Sequence, residues 1–154
     1  MSKPVDKIEF WKERIDTAVK DYFTVYVTSE GDWHRINKAH VQHFEKMSGK
    51  ILDAGCGYGR NSIYFSDYVG VDFSPDFIEM AKKKFPTKEF LQANLKELPF
   101  KDKEFDWAFC VSLKHMIRSY ASHEDWDKME AELKRVAKKV LILEYSDPQN
   151  IEIL

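Results

Sequence analysis

The chain has 154 residues, with 24 basic against 26 acidic side chains and a net charge of −2. That length fits one domain with a proper core, and the near-neutral balance gives no global attraction to nucleic acid or to an anionic membrane. No apolar stretch approaches the roughly 18 residues of a membrane span. The charged N-terminus lacks the apolar core of a signal peptide, and Cys56 and Cys110 are too few and too far apart for a zinc site or a disulfide framework. The expectation is a cytoplasmic protein with reduced thiols, no metal and a single domain over 1–154.

In chain order, Ile8, Trp11, Ile15 and Val19 make one stripe of a helix beginning near Pro4. After a polar turn at Ser29-Glu30-Gly31, Asp32 reads as the N-cap of a second helix with Trp33, Ile36, His40 and Phe44 on one face and Gly49 as its C′ residue. From Ile51 onward the elements alternate: strand 51–54, helix 60–66, strand 68–72, helix 75–85, strand 89–92, strand 106–111, helix 123–138 and strand 139–144. Ser74-Pro75-Asp76 opens the fourth helix with an N-cap, a first-turn proline and a first-turn acid, and Lys82, Lys83 and Lys84 close it where positive charge suits the macrodipole. Ser122 with Asp125 resembles a capping box, followed by a core stripe of Trp126, Met129, Leu133 and Val136. The alternation predicts an α/β, Rossmann-like parallel sheet ordered 3-2-1-4-5, with helices on both faces and a helical N-terminal cap.

The most informative segment runs from Lys50 to Gly59, an apolar run stepping into Gly55, Gly57 and Gly59, followed by Val69-Gly70-Val71-Asp72, a second apolar run ending in an acid. A buried strand that ends in glycines lets the backbone approach a ligand closely. An acid at the tip of the next strand can accept hydrogen bonds from both hydroxyls of a ribose. The pair therefore points to a nucleoside cofactor. A phosphate-binding P-loop would need Gly-Lys-Ser/Thr at the end of the loop, and a dinucleotide fingerprint would need glycine where Arg60 stands.

What remains, Asp53-x-Gly55-x-Gly57-x-Gly59 with Asp72, resembles motif I and the second-strand acid of the class I S-adenosylmethionine-dependent methyltransferases. Phe90 to Phe100 is similar to that family's third strand and the turn after it, with Asn94 where aspartate is commoner. Phe105 to Met116 is similar to the fourth strand and following loop of its type 11 branch. The resemblance covers residues 50 to about 147, leaving 1–49 as a cap and 148–154 as a tail. It implies S-adenosyl-L-methionine as cofactor, held by Asp53, Gly55, Cys56, Gly57, Gly59, Asp72, Phe73, Asn94 and Leu95. Asp53 either holds the loop through backbone hydrogen bonds or meets the cofactor's amino group. Cys56 reads as a small loop residue rather than a nucleophile, since nothing near it in sequence would lower its pKa.

Chemistry in that family is displacement at a sulfonium methyl, so the protein chiefly aligns a nucleophile, and a base is needed only if the nucleophile must lose a proton. His115, beyond the fourth strand, is the candidate catalytic residue, against the alternative that it only packs over the cofactor. Cys110-Val111-Ser112-Leu113 stands where exocyclic-amine enzymes carry Asn/Asp-Pro-Pro-Tyr/Phe, and no Pro-Cys pair exists for cytosine C5 chemistry. A small-molecule oxygen, nitrogen or sulfur acceptor leads. The alternatives are a macromolecule methyltransferase (RNA or protein) needing a partner subunit and a non-catalytic cofactor-binding module. Phe10, Trp11, Tyr22, Tyr26 and Trp33 either line a planar or apolar acceptor pocket or pack the cap onto the sheet.

The family usually continues beyond the fifth strand with a helix and a reversed strand, whereas this chain has only Ser146 to Leu154. An edge carrying Val140, Leu141, Ile142 and Leu143 invites association. Either Ile151-Glu152-Ile153-Leu154 covers it, or a homodimer or protein partner does.

Overall fold

The computed structural model describes residues 40–144 and 151–154. The expected helix from Pro4, the Asp32 cap and the N-terminal aromatic set lie outside the described residues. Six strands form one sheet: β1 Ile51–Ala54, β2 Tyr68–Asp72, β3 Glu89–Gln92, β4 Phe105–Val111, β5 Ala137–Leu143 and β6 Ile151–Ile153. Their order is β3-β2-β1-β4-β5-β6. The first five are parallel and β6 runs antiparallel to β5. The expected order of five is thus present with a sixth strand at the β5 edge. β1 and β2 are buried at every position, as central parallel strands between two layers must be.

Three α-helices lie wholly within the described residues, α1 Pro75–Lys84, α2 Leu113–Tyr120 and α3 His123–Val136, and a further helix ends at residue 44. The alternation of side chains along each strand divides the core in two. On one face Leu52, Ala54, Ala108, Cys110, Val140 and Ile142 meet Leu113 of α2 and Trp126, Leu133 and Val136 of α3. On the other, Ile51, Phe109, Leu141 and Leu143 meet Ile78 and Ala81 of α1, together with Phe44 and Met47 from the segment before β1. Burying side chains of this size contributes about 1.5–3 kcal/mol apiece, and that is what fixes the helices to the sheet.

The cap chemistry is present: Ser74 Oγ accepts from the Phe77 N–H at 3.3 Å, and Ser122 Oγ from the Asp125 N–H at 3.0 Å. Four expectations need correction. Residues 60–64 form a 3₁₀ segment rather than an α-helix to 66, because the first step out of Gly59 closes a short turn, with the Ser62 N–H on the Gly59 carbonyl. The last helix ends at Val136, since Ala137 is already extended and begins β5. The stretch 113–120, read as a loop, is α2. Gly49 does not follow its helix directly, which stops at 44. Its φ of +88° serves a close approach instead, because a Cβ there would lie 2.1 Å from Asp106 Oδ2.

The β5 edge is covered by the tail. Leu141 faces Ile153, Ile142 faces Glu152 and Leu143 faces Ile151, and Val140 and Leu154 exchange both backbone hydrogen bonds. Lys114 Nζ of α2 grips both Glu152 carboxylate oxygens, at 2.9 and 2.7 Å, and holds β6 in place from the side.

Candidate cofactor and acceptor site

The loop after β1 is shaped by its glycines. Gly55, Gly57 and Gly59 have φ of +75°, +55° and +83°, the left-handed region that L side chains adopt at a cost. Gly59 also has no room for a side chain, since a Cβ would lie 2.5 Å from Phe90 Cζ. The N–H groups of Gly55 and Cys56 both bond the Val71 carbonyl, at 2.8 and 3.0 Å, so the loop folds back over the tip of β2.

Asp72 anchors this arrangement. Its Oδ2 accepts from the Gly57 N–H and its Oδ1 from the Ser74 N–H, each at 3.0 Å. Each oxygen keeps a lone pair for a further donor such as a ribose hydroxyl. Burial pushes the carboxyl up to about 6, while the N–H groups of Ser74, Gly57 and Phe73 pull it down. Beside it Phe73 is 40% exposed and Leu91 of β3 is 38% exposed, two apolar side chains at the carboxyl ends of neighbouring strands. Gln92 Nε2 donates to the Phe73 carbonyl at 3.1 Å and fixes that corner.

Asp53 lies beneath the loop rather than on its surface. Its Oδ2 accepts from the Tyr68 hydroxyl at 2.6 Å, and it is buried. Burial raises this carboxyl to about 7, opposed by the Tyr68 hydrogen bond and the charge of Arg60. Arg60 is itself buried, and its charge also reaches His40 of the cap. His40 is lowered to about 4, first by burial and then by Arg60, while a hydrogen bond to the Glu144 backbone carbonyl works the other way. Asp53, Arg60 and His40 therefore form a buried polar seam that joins the cap, the loop and the end of β5.

The remaining expected residues sit as follows. Cys56 is buried, its thiol bonded to the Gly57 carbonyl at 3.4 Å and pushed up by burial, so it is an unreactive thiol. Asn94 is exposed and its Oδ1 accepts from the Lys96 N–H at 3.0 Å, an Asx turn that leaves the amide edge facing outward. Leu95 is buried in the core. His115 is exposed on the first turn of α2, and its backbone N–H donates to Glu144 Oε1 at 3.1 Å. That turn abuts the loop: a Cβ built on Gly55 would sit 3.2 Å from Leu113 Cδ1.

Three residues of this region were not singled out from the sequence: Tyr68, Arg60 and Glu144. For Glu144 the signal was present, since Leu141-Ile142-Leu143-Glu144 repeats the pattern of an apolar run ending in an acid that marks Asp72.

The donor set fits S-adenosylmethionine. It offers a buried carboxylate with spare lone pairs, a bare glycine backbone and an apolar wall beside them. Among the described residues no group of His, Cys, Asp and Glu could hold a metal ion, and no helix is long and apolar enough to cross a membrane.

Residues 52–142 match the Methyltransf_11 family, described as a methyltransferase domain. The chain is 35% identical over 107 residues to the uncharacterized protein MJ1252 of Methanocaldococcus jannaschii, a match covering 68% of this chain and 41% of that one. It is 29% identical over 141 residues to a demethylmenaquinone methyltransferase of Renibacterium salmoninarum, covering 86% and 57%. The chain thus spans about half the length of these relatives. Among solved structures, the PH0226 protein of Pyrococcus horikoshii superposes with a TM-score of 0.64 at 26% identity, covering 76% of this chain and 59% of that one. A putative S-adenosyl-L-methionine-dependent methyltransferase of Methanococcus maripaludis shares the fold with a TM-score of 0.65 at 21% identity, covering 94% and 67%. With the glycine loop, the Asp72 anchor and the sheet order in place, the family match settles that the chain belongs to the class I S-adenosylmethionine-dependent methyltransferases.

Proposed function

We propose that this chain binds S-adenosylmethionine at the Gly55–Gly59 loop and transfers its methyl group to a small-molecule oxygen, nitrogen or sulfur acceptor. The observation that carries the reading is Asp72: a buried carboxylate whose two oxygens accept the backbone N–H groups of Gly57 and Ser74, with acceptor capacity left for hydroxyl donors. When bound, the cofactor supplies an electrophilic methyl carbon on a sulfonium that departs as a neutral thioether. The chain's own part is to hold and align. Asp72 takes the ribose hydroxyls, the bare backbone at Gly55, Gly57 and Gly59 admits the methionyl part, and Phe73 and Leu91 flank the base. Asn94 and the Leu95 backbone border the same base. Asp53, tied to Tyr68 and near Arg60, supports the loop from beneath.

The acceptor side lies over the carboxyl ends of β4 and β5, where open α/β sheets bind ligands. His115, exposed there on α2, is our candidate for moving a proton off a hydroxyl or amine. Relatives named for small-molecule acceptors support this class, among them a fatty-acid O-methyltransferase of Mycolicibacterium smegmatis and the demethylmenaquinone methyltransferase above. We further propose that residues 1–154 act as one methyltransferase domain, with 1–49 as cap, in the cytoplasm.

The test is incubation with methyl-labelled S-adenosylmethionine and a fractionated cell extract. Label appearing in a small-molecule fraction is the expected result. Label confined to protein or RNA would overturn the acceptor class.

A further inference from the structure

Glu144 stands one residue beyond β5, at the carboxyl end of the sheet. Its Oε1 accepts the His115 N–H at 3.1 Å, which ties it to the first turn of α2. Leu113 of the same turn packs on Gly55 of the cofactor loop, so Glu144 and the loop both border one helical turn. The Ser112 N–H bonds the Leu143 carbonyl at 2.8 Å and draws the ends of β4 and β5 together beneath that turn. Lys114, whose charge reaches Glu144, is committed to both oxygens of Glu152 on β6. Oε2 of Glu144 has no hydrogen-bond partner among the described residues, and the residue is half-buried. The His40 ring bonds the Glu144 backbone carbonyl, which fixes the end of β5 from a second direction.

We infer that Glu144 is the first group to take the proton lost by the methyl acceptor, and that His115, on the turn Glu144 holds, moves it on to water, which refines the role given to His115 above. This rests on the cofactor and small-molecule reading above. In the step, the acceptor oxygen or nitrogen forms its bond to the methyl carbon and the carbon–sulfur bond breaks with its pair remaining on sulfur. The acceptor's proton moves to Glu144 Oε2. Atoms and charge balance without a further reactant: cationic cofactor, neutral acceptor and carboxylate become neutral thioether, methylated product and carboxylic acid. The environment suits a proton acceptor. Burial raises the carboxyl and Glu152 adds to the rise, while the His115 N–H and the charges of His115 and Lys114 pull it down.

The test needs no acceptor. In protein carrying carbon-13-labelled glutamate, the Glu144 carboxyl resonance is assigned through bonds and checked by its loss in Glu144→Gln, whose amide oxygen still accepts the His115 N–H. Its titration is then followed with S-adenosylmethionine, which is cationic at sulfur, and with S-adenosylhomocysteine, which is neutral there. A carboxyl facing the reacting methyl should titrate roughly one pH unit lower in the cationic complex, since an opposite charge within a few ångström favours the ionised form. Equal titration in the two complexes would overturn the assignment. Ligand binding is read separately from the Gly57 amide, so a wrong placement of Glu144 and a wrong cofactor site give different spectra. A Gly57 amide silent to both ligands would overturn both.

Discussion

The Gly57 N–H donates to Asp72 Oδ2 at 3.0 Å, across the gap between the loop after β1 and the tip of β2. Loop shape and the ribose-binding acid are therefore one unit, and whatever changes the charge of Asp72 changes both. With its folded value raised to about 6 from an ordinary 3.8, Asp72 contributes stability that is fully present below about pH 4 and lost as pH rises through 6. Two units correspond to roughly 3 kcal/mol against the ligand-free protein at neutral pH. Hydroxyl donors favour the ionised carboxylate, so ligand binding should release a proton near pH 6 and hardly any well above it. Calorimetric titration with S-adenosylhomocysteine in two buffers of different ionisation enthalpy measures that number directly. A proton count that does not change across this range would remove Asp72 from the binding site.

Gly57→Val should abolish cofactor binding while leaving the sheet intact. A β-branched residue at φ +55° is strained by about 1–2 kcal/mol or more, and its side chain would occupy the space over the loop. The loop lies at the surface end of β1, so circular dichroism should show native secondary structure. Normal binding by this variant would show that the loop is misplaced in our account.

Removing residues 150–154 should expose the backbone of β5 over Val140 to Leu143. Those residues are buried on both faces, and the edge they present is paired by Ile151 to Leu154. Light scattering at micromolar concentration should show the truncated chain associating where the full chain does not. Lys114→Ala, which releases Glu152, should move the full chain partway in the same direction. A truncated chain as monodisperse as the full one would mean that the tail strand is not what protects the edge.

The sheet was legible because its strands are short apolar runs, Ile51–Ala54, Tyr68–Asp72 and Val140–Leu143 among them, each bounded by glycine, a polar turn or an acid. Helix starts were legible where a serine caps them, as at Ser74 and Ser122. α2 escaped for the complementary reason: Ser112, at its N-cap, has φ +56° and makes no side-chain cap bond, and the carboxylate that serves its first turn, Glu144, lies in a distant part of the sequence. The site divides in the same way. Gly55, Gly57, Gly59 and Asp72 are adjacent in two short segments and carry their pattern on the surface of the sequence. The seam of His40, Arg60 and Asp53 joins three segments through burial alone, and no spacing rule brings them together. The tail's position was left open between two covers because pairing register across residues 145–150 is not written in either strand.

Asp72 and the glycine loop are together the proposed binding site of S-adenosylmethionine. The measurement that tests it most directly is titration calorimetry of the wild-type chain and of Asp72→Ala with S-adenosylmethionine and S-adenosylhomocysteine. The account predicts one site for both ligands in the wild type, weakened roughly ten- to hundredfold in the variant, as loss of charge-assisted bonds worth about 1.5–3 kcal/mol requires. A wild-type chain that binds neither ligand, or a folded Asp72→Ala chain that binds them with undiminished affinity, would contradict it.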